Sequence, residues 1–521
     1  MIVAFRVDSS TEIGSGHVMR CLALAEGLRD RGAAVTFVCR DHEGHLVEII
    51  RARGFAATVL SAPRPGRDAA WGMLGVPWEQ DATDSLMALP SDTDWLVVDH
   101  YGLGASWEAA MRERVPHILV MDDLADRRHD CDVLIDPTYP GDATRYSGLV
   151  PTTARLLLGP RYAQMSGAYA AAVGSSGDLH RDGSRLLIFY GGTDIHDLTS
   201  RTLRAASRGS LSDLPADVIA GATNPQRPAV EALARTRPGT TMHPPQPTLA
   251  DLMSRCSIAA TAGGVTLWER LCLGLPGVVV SLAENQVASC QALAEAGLIT
   301  YLGGIEEASE DVIADALQRL LDEPTLTDET AHAGQALVDG LGAPRAAEIL
   351  VPSSASDLVL REAGAADRGR YFSWANDPSV RRSALSTRPI TWAEHRAWFD
   401  RRLASTDCYL LVLEAHGLPL GQARFDVADG VAVLDYSVDE AVRGRGWGEI
   451  LLTRAIDALR TRTSIDIVAD VRIDNGASAA TLARAGFRPS GDDTVAPGVL
   501  RLRLQRGDDR LADDADLVVG Q

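Results

Sequence analysis

The sequence predicts an α/β protein, with two doubly wound parallel sheets followed by a smaller α+β domain. Short apolar runs alternate with helical patterns up to about residue 350, which is the pattern of parallel strands joined by crossover helices. Small or polar residues follow most of these runs directly. From residue 357 the pattern changes to two helical stretches and then successive strands joined by tight turns.

Length and composition limit the classes of function. A chain of 521 residues corresponds to roughly three domains of about 150 residues each. A net charge of −20 argues against nucleic acid or an anionic membrane as a partner. The seven cysteines are scattered, without a CxxC pair, and no His/Cys/Asp cluster has metal-ligand spacing, so we expect reduced cysteines and no metal. Without a signal peptide or an apolar run of about 18 residues, a cytoplasmic protein is expected.

The first predicted domain covers residues 1–165. Its opening strand, Ile2 to Val7, leads into a turn that contains Gly14, Gly16 and His17, and a helix follows from Val18. Such a strand-to-helix turn exposes backbone N–H groups and lets a ligand approach closely. From this turn alone, His17 either acts on a ligand or merely caps the helix. Further strands are predicted at 34–39, 94–98, 117–121 and 133–135.

The second predicted domain covers residues 166–351, and its alternating strands and helices begin after a flexible break at 174–177. Each of its strands, at 186–190, 217–220, 257–260 and 277–282, precedes a small or polar loop, at 191–194, 221–224, 261–266 and 283–286. Ligands of such sheets bind outside the carboxyl ends of the strands. We therefore expect a ligand cleft between the two sheets.

The turn at Gly263 and Gly264 leads into a helix that carries Glu269. N–H groups and the positive end of a helix are suited to a diphosphate. Glu269, one turn further, is placed to accept hydrogen bonds from ribose hydroxyls. The alternative is a surface glutamate that the helix dipole favours near a helix start.

Seven ordered motifs within residues 1–350 resemble the nucleotide-sugar hydrolase family of pseudaminic acid synthesis, which is itself similar to GT-B glycosyltransferases with two Rossmann-like domains. These motifs lie at 14–20, 99–101, 122–127, 158–162, 191–194, 263–270 and 283–286. The family removes UDP from UDP-2,4-diacetamido-2,4,6-trideoxy-β-L-altrose. One departure is Val265, where the family usually has Ser.

The resemblance implies a catalytic base at His17, because imidazole titrates near neutrality and suits activation of water. It also implies a set of substrate-binding residues. Among them, Asn285 has a loop-stabilising alternative, Asp99 and Tyr101 either hold the sugar or finish a strand, and Arg20 reaches phosphate or pairs with a carboxylate. The implied substrate-binding residues are Gly14, Gly16, Arg20, Asp99, Tyr101, Thr193, Asp194, Gly263, Gly264, Thr266, Glu269 and Asn285.

The third predicted domain covers residues 357–506, after a linker at 352–356, and an acidic tail at 507–521 is expected to be disordered. A strand at 431–438 runs into a Gly-rich turn and a helix, which together form an anion cradle. With the strand at 465–471 and with Asn475, Ser478 and Phe487, the pattern resembles the GNAT acetyltransferases. The acetyl-CoA residues implied by this resemblance are Tyr436, Val438, Arg443, Gly444, Arg445, Gly446, Trp447, Gly448 and Asn475.

Two features of this domain stay open from the sequence. Many GNAT relatives carry a Tyr four residues before the Gly-Phe pair, to protonate the leaving thiolate, and this chain has Leu482 there. Helical segments around Trp374 and Trp392 to Phe399 resemble the acceptor side of acetyltransferases for nucleotide-linked amino sugars. As single residues, these aromatics are equally consistent with a core position.

The sequence therefore predicts a bifunctional enzyme. Its C-terminal domain would acetylate the 4-amino group of UDP-4-amino-4,6-dideoxy-β-L-AltNAc with acetyl-CoA, and its N-terminal part would then hydrolyse the UDP–sugar bond. One alternative is a glycosyltransferase that moves the sugar to an acceptor other than water. Another is a nucleotide-sugar-binding scaffold without catalytic activity. The sequence gives no prediction of oligomeric state.

Overall fold

The computed structural model describes residues 1–63, 69–175, 185–221, 224–490 and 496–506. The chain divides between Pro352 and Ser353 into two compact units. The expected acidic tail at 507–521 lies outside the described residues, as do residues 176–177 of the expected break and residues 222–223 of one predicted loop.

The first unit contains two parallel sheets. The N-terminal sheet has the strand order β3-β2-β1-β4-β5-β6-β7, and β1 lies centrally with Val3 and Phe5 fully buried. A strand buried on both faces reads as a continuous apolar run, as β1 does. The elements are β1 (Ile2–Val7), α1 (Gly16–Arg29), β2 (Ala34–Arg40), α2 (Val47–Ala52), β3 (Ala56–Leu60), α3 (Trp78–Ala88), β4 (Trp95–Asp99), α4 (Ala105–Met111), β5 (His117–Met121), β6 (Val133–Asp136) and β7 (Arg155–Leu158).

The following sheet has the strand order β10-β9-β8-β11-β12-β13. Its elements are α5 (Gly167–Ser175), β8 (Leu186–Phe189), α6 (Leu198–Ala205), β9 (Ala216–Ile219), α7 (Arg227–Thr236), β10 (Thr240–His243), α8 (Ala250–Arg255), β11 (Ile258–Ala262), α9 (Val265–Cys272), β12 (Gly277–Val280), α10 (Glu284–Glu295), β13 (Thr300–Tyr301), α11 (Glu310–Asp322), α12 (Pro324–Leu337) and α13 (Gly342–Leu350). The last helix, α13, returns to the first sheet, where Ala346, Ala347 and Leu350 join the core around α1.

The second unit is built on one mixed sheet in the order β14-β15-β16-β17-β18-β20-β19. His416 and Asp429, each followed by a glycine, adopt positive φ in the two hairpin turns predicted from the sequence. The elements are β14 (Leu358–Glu362), α14 (Arg368–Asn376), α15 (Pro378–Ser383), α16 (Trp392–Leu403), β15 (Cys408–Ala415), β16 (Leu418–Ala428), β17 (Val431–Val438), α17 (Trp447–Arg460), β18 (Asp466–Arg472), α18 (Gly476–Arg484), β19 (Arg488–Pro489) and β20 (Val499–Leu504).

The predicted fold class is confirmed: two doubly wound parallel sheets precede a smaller mixed α+β domain. The sequence did not predict β3, β7, β10, β13, β14, β19 or β20, which are short or lie toward the sheet edges, where alternation is weak. Gly174 and Ser175 of the expected break form the end of α5. Within the described ranges, every helix is too short or too polar to cross a bilayer.

Candidate functional site

The first site lies where turns from the two parallel sheets face each other. Gly16 opens α1 after β1, and Val265 opens α9 after β11. A Cβ atom built on Gly16 would lie 3.8 Å from the Cγ2 of Val265, so the two turns are nearly in contact. Neither helix has a side-chain cap, and the first N–H groups of both are therefore available to a ligand.

His17 belongs to a buried ionic network at this junction. Its Nδ1 atom lies 2.6 Å from Oδ1 of Asp99, and Arg20 donates to both oxygens of the same carboxylate at 2.6 Å each. Burial alone would raise the pKa of Asp99, but Arg20 and His17 together hold that pKa below its usual range. Because Asp99 is ionised, Nδ1 of His17 carries the proton. Nε2 is then the basic nitrogen, and no group among the described residues hydrogen-bonds to it.

Asp99 contacts His17 and Arg20 in the structure. The sequence placed it among the substrate-binding residues, whereas the structure shows it fully buried, with both oxygens engaged by Arg20 and His17. Arg20 also donates to Asp123 at 3.2 Å, and its Nη2 atom lies 3.2 Å from Nδ1 of His17. The structure thus favours the carboxylate-pairing alternative for this arginine.

Tyr101 connects the two sheets across the junction. Its hydroxyl donates to Oδ1 of Asp123 at 2.8 Å and accepts from Nδ2 of Asn285, on α10, at 3.3 Å. Its ring packs edge-on against the imidazole of His17, with 4.7 Å between the centroids. Burial, followed by the charge of Asp123, raises the pKa of Tyr101, which keeps the hydroxyl protonated. Sequence reasoning missed Asp123 as a site residue, although it lies two residues after the end of β5, at the carboxyl edge of the sheet.

The loop at Gly263 and Gly264 accepts no larger residue at its first position. A Cβ on Gly263 would lie 2.7 Å from Sγ of Cys290, below any normal contact. Thr266 is half-buried in the first turn of α9. Glu269, further along the same helix, interacts with Tyr169, and burial raises the pKa of Glu269 to about 7. Tyr169 was missed, because no sequence pattern links it to a residue on another helix.

Thr193 and Asp194 come after β8, the strand that pairs with β11 in the sheet. The carboxylate of Asp194 accepts from the backbone N–H groups of Leu198 and Thr199, at 3.0 Å and 2.8 Å. Asp194 is buried, and its carboxylate gives hydrogen-bond partners to N–H groups at the start of α6. The structure gives this residue a helix-capping position, while Thr193 stays half-exposed at the loop. Gly14, with a φ of 81°, makes the turn before α1 in the left-handed region that glycine adopts at little cost.

The second site is the Gly-rich turn after β17. Gly444 and Gly446 have φ values of 80° and 82°, and Gly446 precedes the first residue of α17, Trp447, without a side-chain cap. This arrangement presents consecutive N–H groups to an anion. Arg443 lies at the exposed side of the turn, where it donates to Ser379 at 2.6 Å and pairs with Asp377. Arg445 is half-buried in the same turn, and Gly448 follows in the first turn of α17.

The strand β17 separates from β18 beside this turn. The two strands pair from Val431 and Asp466 to Leu434 and Ala469, and β17 continues alone on that side to Val438. Residues 435–438, which include Tyr436, stay paired to β16 on the other side. The opening leaves main-chain groups without strand partners at the place where an extended ligand would pair. Asn475, across the opening, caps α18 by accepting from Ser478.

The side chain of Tyr436 lies between α17 and α18. Its hydroxyl is 3.1 Å from Oγ of Ser478, and a Cβ on Gly448 would lie 3.9 Å from its ring. Leu482 is 1% exposed, which makes it a core residue of α18.

The fold of the second unit and its Gly-rich cradle define an acetyltransferase. Residues 357–488 match the family described as the Acetyltransferase (GNAT) domain. An L-methionine sulfoximine/L-methionine sulfone acetyltransferase of Pseudomonas aeruginosa is 30% identical over 139 residues, which are 25% of this chain and 81% of that protein. The C-terminal part of the chain thus belongs to the GNAT acetyltransferase family.

The first unit is similar to two other bacterial proteins. The spore coat polysaccharide biosynthesis protein SpsG of Bacillus subtilis is 27% identical over 67% of this chain and 98% of that protein. The UDP-2,4-diacetamido-2,4,6-trideoxy-β-L-altropyranose hydrolase of Campylobacter jejuni is 25% identical over 57% of this chain and 97% of that protein. These similarities confirm the resemblances predicted for both parts of the chain and identify the chain as an enzyme.

Proposed function

We propose that this chain carries out two consecutive reactions on a UDP-linked amino sugar. The GNAT domain acetylates the 4-amino group of UDP-4-amino-4,6-dideoxy-β-L-AltNAc with acetyl-CoA. The first unit then hydrolyses the bond between UDP and the diacetamido sugar. The single observation that carries the hydrolytic half is the placement of His17, held by Asp99, in the first turn of α1, where the start of that helix meets the uncapped start of α9.

The hydrolytic step uses His17 as a general base. Its Nδ1–H donates to Asp99, so the free Nε2 takes a proton from water while the water oxygen bonds to the anomeric carbon. The bond between that carbon and the UDP oxygen breaks, and the electron pair leaves with the diphosphate. A positioned base of this kind contributes about 10²–10⁴-fold to the rate.

The departing diphosphate requires compensation of its charge. The uncapped start of α9 at Gly264 and Val265 offers N–H groups for this purpose. Glu269 would accept from the ribose hydroxyls, and Asn285 would contact the sugar beside His17. Val265 supplies no hydroxyl here, so the backbone carries a larger share of phosphate binding in this chain.

Three features of the second site support the binding of acetyl-CoA there. The left-handed glycines Gly444 and Gly446 suit a pyrophosphate, the uncapped start of α17 supplies N–H groups, and the opening beside residues 435–438 accepts an extended pantetheine arm. Acetyl transfer from a thioester is the reaction for which GNAT domains are named. In this proposal, the first unit consumes the product of the second.

Mass spectrometry of one reaction tests both halves. The wild-type chain is incubated with UDP-4-amino-4,6-dideoxy-β-L-AltNAc, with and without acetyl-CoA, and compared with a His17→Ala variant. We expect free diacetamido sugar and UDP only with acetyl-CoA, and accumulation of the acetylated UDP-sugar in the variant. A new glycoside in place of the free sugar would indicate a glycosyltransferase. Binding of UDP without any turnover would indicate a scaffold.

A further inference from the structure

We propose that Gln422, Asp435 and Ser437 form the subsite that receives the amine to be acetylated, with Asp435 as the base that takes its proton. This inference rests on the proposed acetyl transfer and adds the residues that hold the acceptor nitrogen. The three side chains lie on neighbouring strands at the point where β17 leaves β18.

The three residues share one face of the sheet. Gln422 of β16 is paired with Ser437 of β17, and successive residues of a strand point to opposite faces. Gly421, the neighbour of Gln422, faces α17, because a Cβ there would lie 3.2 Å from Leu451. Gln422 therefore faces away from α17.

The opposite face carries α16. Arg424, two residues after Gln422 and on the same face, lies with its guanidinium carbon 5.1 Å from the ring centre of Trp398 on α16. Tyr436, between Asp435 and Ser437, points the other way, to Ser478 of α18. The amine subsite and the acetyl-CoA cradle thus lie on opposite faces and meet along residues 435–438 of one strand.

One atom of the cluster lacks a partner. Nε2 of Gln422 donates to Oδ2 of Asp435 at 3.1 Å and faces Oγ of Ser437 at 3.5 Å. The carboxylate fixes the orientation of this amide, since a carboxylate oxygen accepts from N–H and repels a carbonyl. Gln422 is only 6% exposed, and its Oε1 atom is buried. This atom has no hydrogen-bond partner among the described residues. A buried acceptor of this kind calls for a donor, and an ammonium group supplies three.

The charge of the cluster matches a cationic amine. Asp435 keeps 53% of its side chain exposed, and its nearest cation, Nη1 of Arg424, is 4.0 Å away. A loose, exposed ion pair of this kind is worth little, so an incoming ammonium group competes with Arg424 for the carboxylate. Carboxylate, amide carbonyl and hydroxyl oxygen together form a set of acceptors that favours a primary amine over an alcohol.

The reaction balances with this assignment. Asp435 removes one proton from the ammonium group, and the freed nitrogen pair attacks the thioester carbonyl carbon. The C–N bond forms and the C–S bond breaks, so that the thiolate leaves and takes up one proton from solvent. The amide nitrogen loses its second proton to solvent, and Asp435 releases the first proton there as well. One ammonium and one acetyl-CoA give one acetamide, one CoA thiol and one proton.

The test uses the full-length chain and measures the release of CoA thiol. The acceptors are UDP-4-amino-4,6-dideoxy-β-L-AltNAc and L-methionine sulfone. We expect Asp435→Asn to lower kcat about 100-fold or more, in line with loss of a positioned base, and Asp435→Glu to restore most of the loss. Gln422→Leu and Ser437→Ala are expected to raise KM for the amine about tenfold, while KM for acetyl-CoA stays unchanged. Asp429→Asn, which changes an exposed carboxylate in the turn between β16 and β17, is the matched control and keeps kcat within twofold.

The outcomes separate this inference from the proposed function. If Asp435→Asn keeps kcat within twofold of wild type on whichever amine is acetylated, the assignment of Asp435 and its neighbours as the amine subsite is wrong. If the wild type acetylates neither amine, the subsite is wrong as well. If only L-methionine sulfone is acetylated, the proposed sugar substrate fails, and the Asp435 variants still decide the subsite with that amine. Equal thermal unfolding of Asp435→Asn and wild type shows that a lost activity is not a folding defect.

Discussion

The imidazole of His17 is tied to the carboxylate of Asp99 by a 2.6 Å contact, although 82 positions separate the two residues in the sequence. His17 begins α1, and Asp99 ends the neighbouring strand β4. The contact fixes the proton on Nδ1 and leaves Nε2 basic. Two predictions for the first unit depend on this contact, two more concern Glu269, and a fifth concerns the acetyl-CoA cradle.

Replacement of His17 by Gln removes the proposed base and keeps a side chain of similar size. We expect hydrolysis of the UDP-sugar to fall about 10²–10⁴-fold, while acetyl transfer is unchanged, because the acetyl-CoA site uses other residues. UDP release, followed by chromatography, measures the first activity. His117→Gln is the control, since the His117 side chain is 52% exposed, and that variant is expected to behave as wild type. A His17→Gln variant that hydrolyses at the wild-type rate would remove His17 from the mechanism.

Replacement of Asp99 by Asn affects stability and activity through different partners. The variant leaves the guanidinium of Arg20 buried with one carboxylate fewer, and removing one partner of a buried pair costs about 3–5 kcal/mol. The variant also permits the unproductive tautomer of His17. We therefore expect the rate of hydrolysis to fall as well as the free energy of unfolding. Denaturant unfolding and UDP release are measured side by side.

A double variant separates the two effects of Asp99. Adding Arg20→Met to Asp99→Asn removes the unpaired charge, and we expect it to regain much of the unfolding free energy while hydrolysis stays low. If the double variant regained the hydrolytic rate as well, Asp99 would act only on stability and not on His17.

The affinity for UDP should depend on Glu269 between pH 6 and pH 8. Burial raises the pKa of Glu269 to about 7, so the carboxylate is mostly ionised at pH 8 and mostly protonated at pH 6. An ionised carboxylate accepts from two ribose hydroxyls, whereas the protonated form offers less acceptor capacity. We expect wild-type affinity to fall several-fold more than that of Glu269→Gln as the pH drops, measured by calorimetry with UDP. Because UDP also titrates, the variant is the reference, and parallel curves would contradict the ribose contact.

The raised pKa of Glu269 also makes the stability of the fold depend on pH. The pKa of Glu269 is raised in the folded state, so the unfolded chain loses this proton at lower pH than the folded chain does. Ionised Glu269 therefore opposes folding above its usual pKa, and the penalty is complete above about pH 7. Glu269→Gln is expected to be more stable than wild type at pH 8 and similar at pH 4, by thermal unfolding. A constant difference at both pH values would contradict this expectation.

Gly446→Ala tests the acetyl-CoA cradle. A φ of 82° at this position costs a residue with a Cβ about 1–2 kcal/mol, and relaxation of the turn would misdirect the N–H groups before α17. We expect KM for acetyl-CoA to rise about tenfold without a change in UDP-sugar hydrolysis. Gly476→Ala, at the start of α18 with open space around it, is the control and should leave KM unchanged. Equal values for the two variants would exclude the turn as the cradle.

Local chemistry made part of this protein predictable. The turn with Gly14, Gly16 and His17, the turn at Gly263 and Gly264, and the hairpin turns at His416 and Asp429 all carry residues chosen for backbone conformation or access. Such residues act within a few positions of the chain, so their pattern is visible without the fold. The order of strands and helices follows from hydrophobic periodicity for the same reason.

The contacts of other predicted residues depend on burial and were not visible in the sequence. Asp194 accepts from the first N–H groups of α6, and Asp99 contacts His17, while their predicted contacts with substrate stay predictions. Each of these aspartates follows a strand, which is also where ligand-binding residues occur. The sequence pattern is the same for either role, and the contacts that the structure shows come from more distant segments.

The sequence alone determined the α/β class, the two glycine turns, the histidine beside the first of them and the Gly-rich cradle, since each follows from backbone requirements and short-range periodicity. Only the tertiary structure decided that Asp99 orients His17, that Asp123 and Asn285 meet at Tyr101, that Tyr169 faces Glu269, and that Gln422 lies beside Asp435 with one atom unpartnered. These contacts join strands and helices far apart in the chain. Their charges and hydrogen bonds gain their strength from burial, which the folded chain creates.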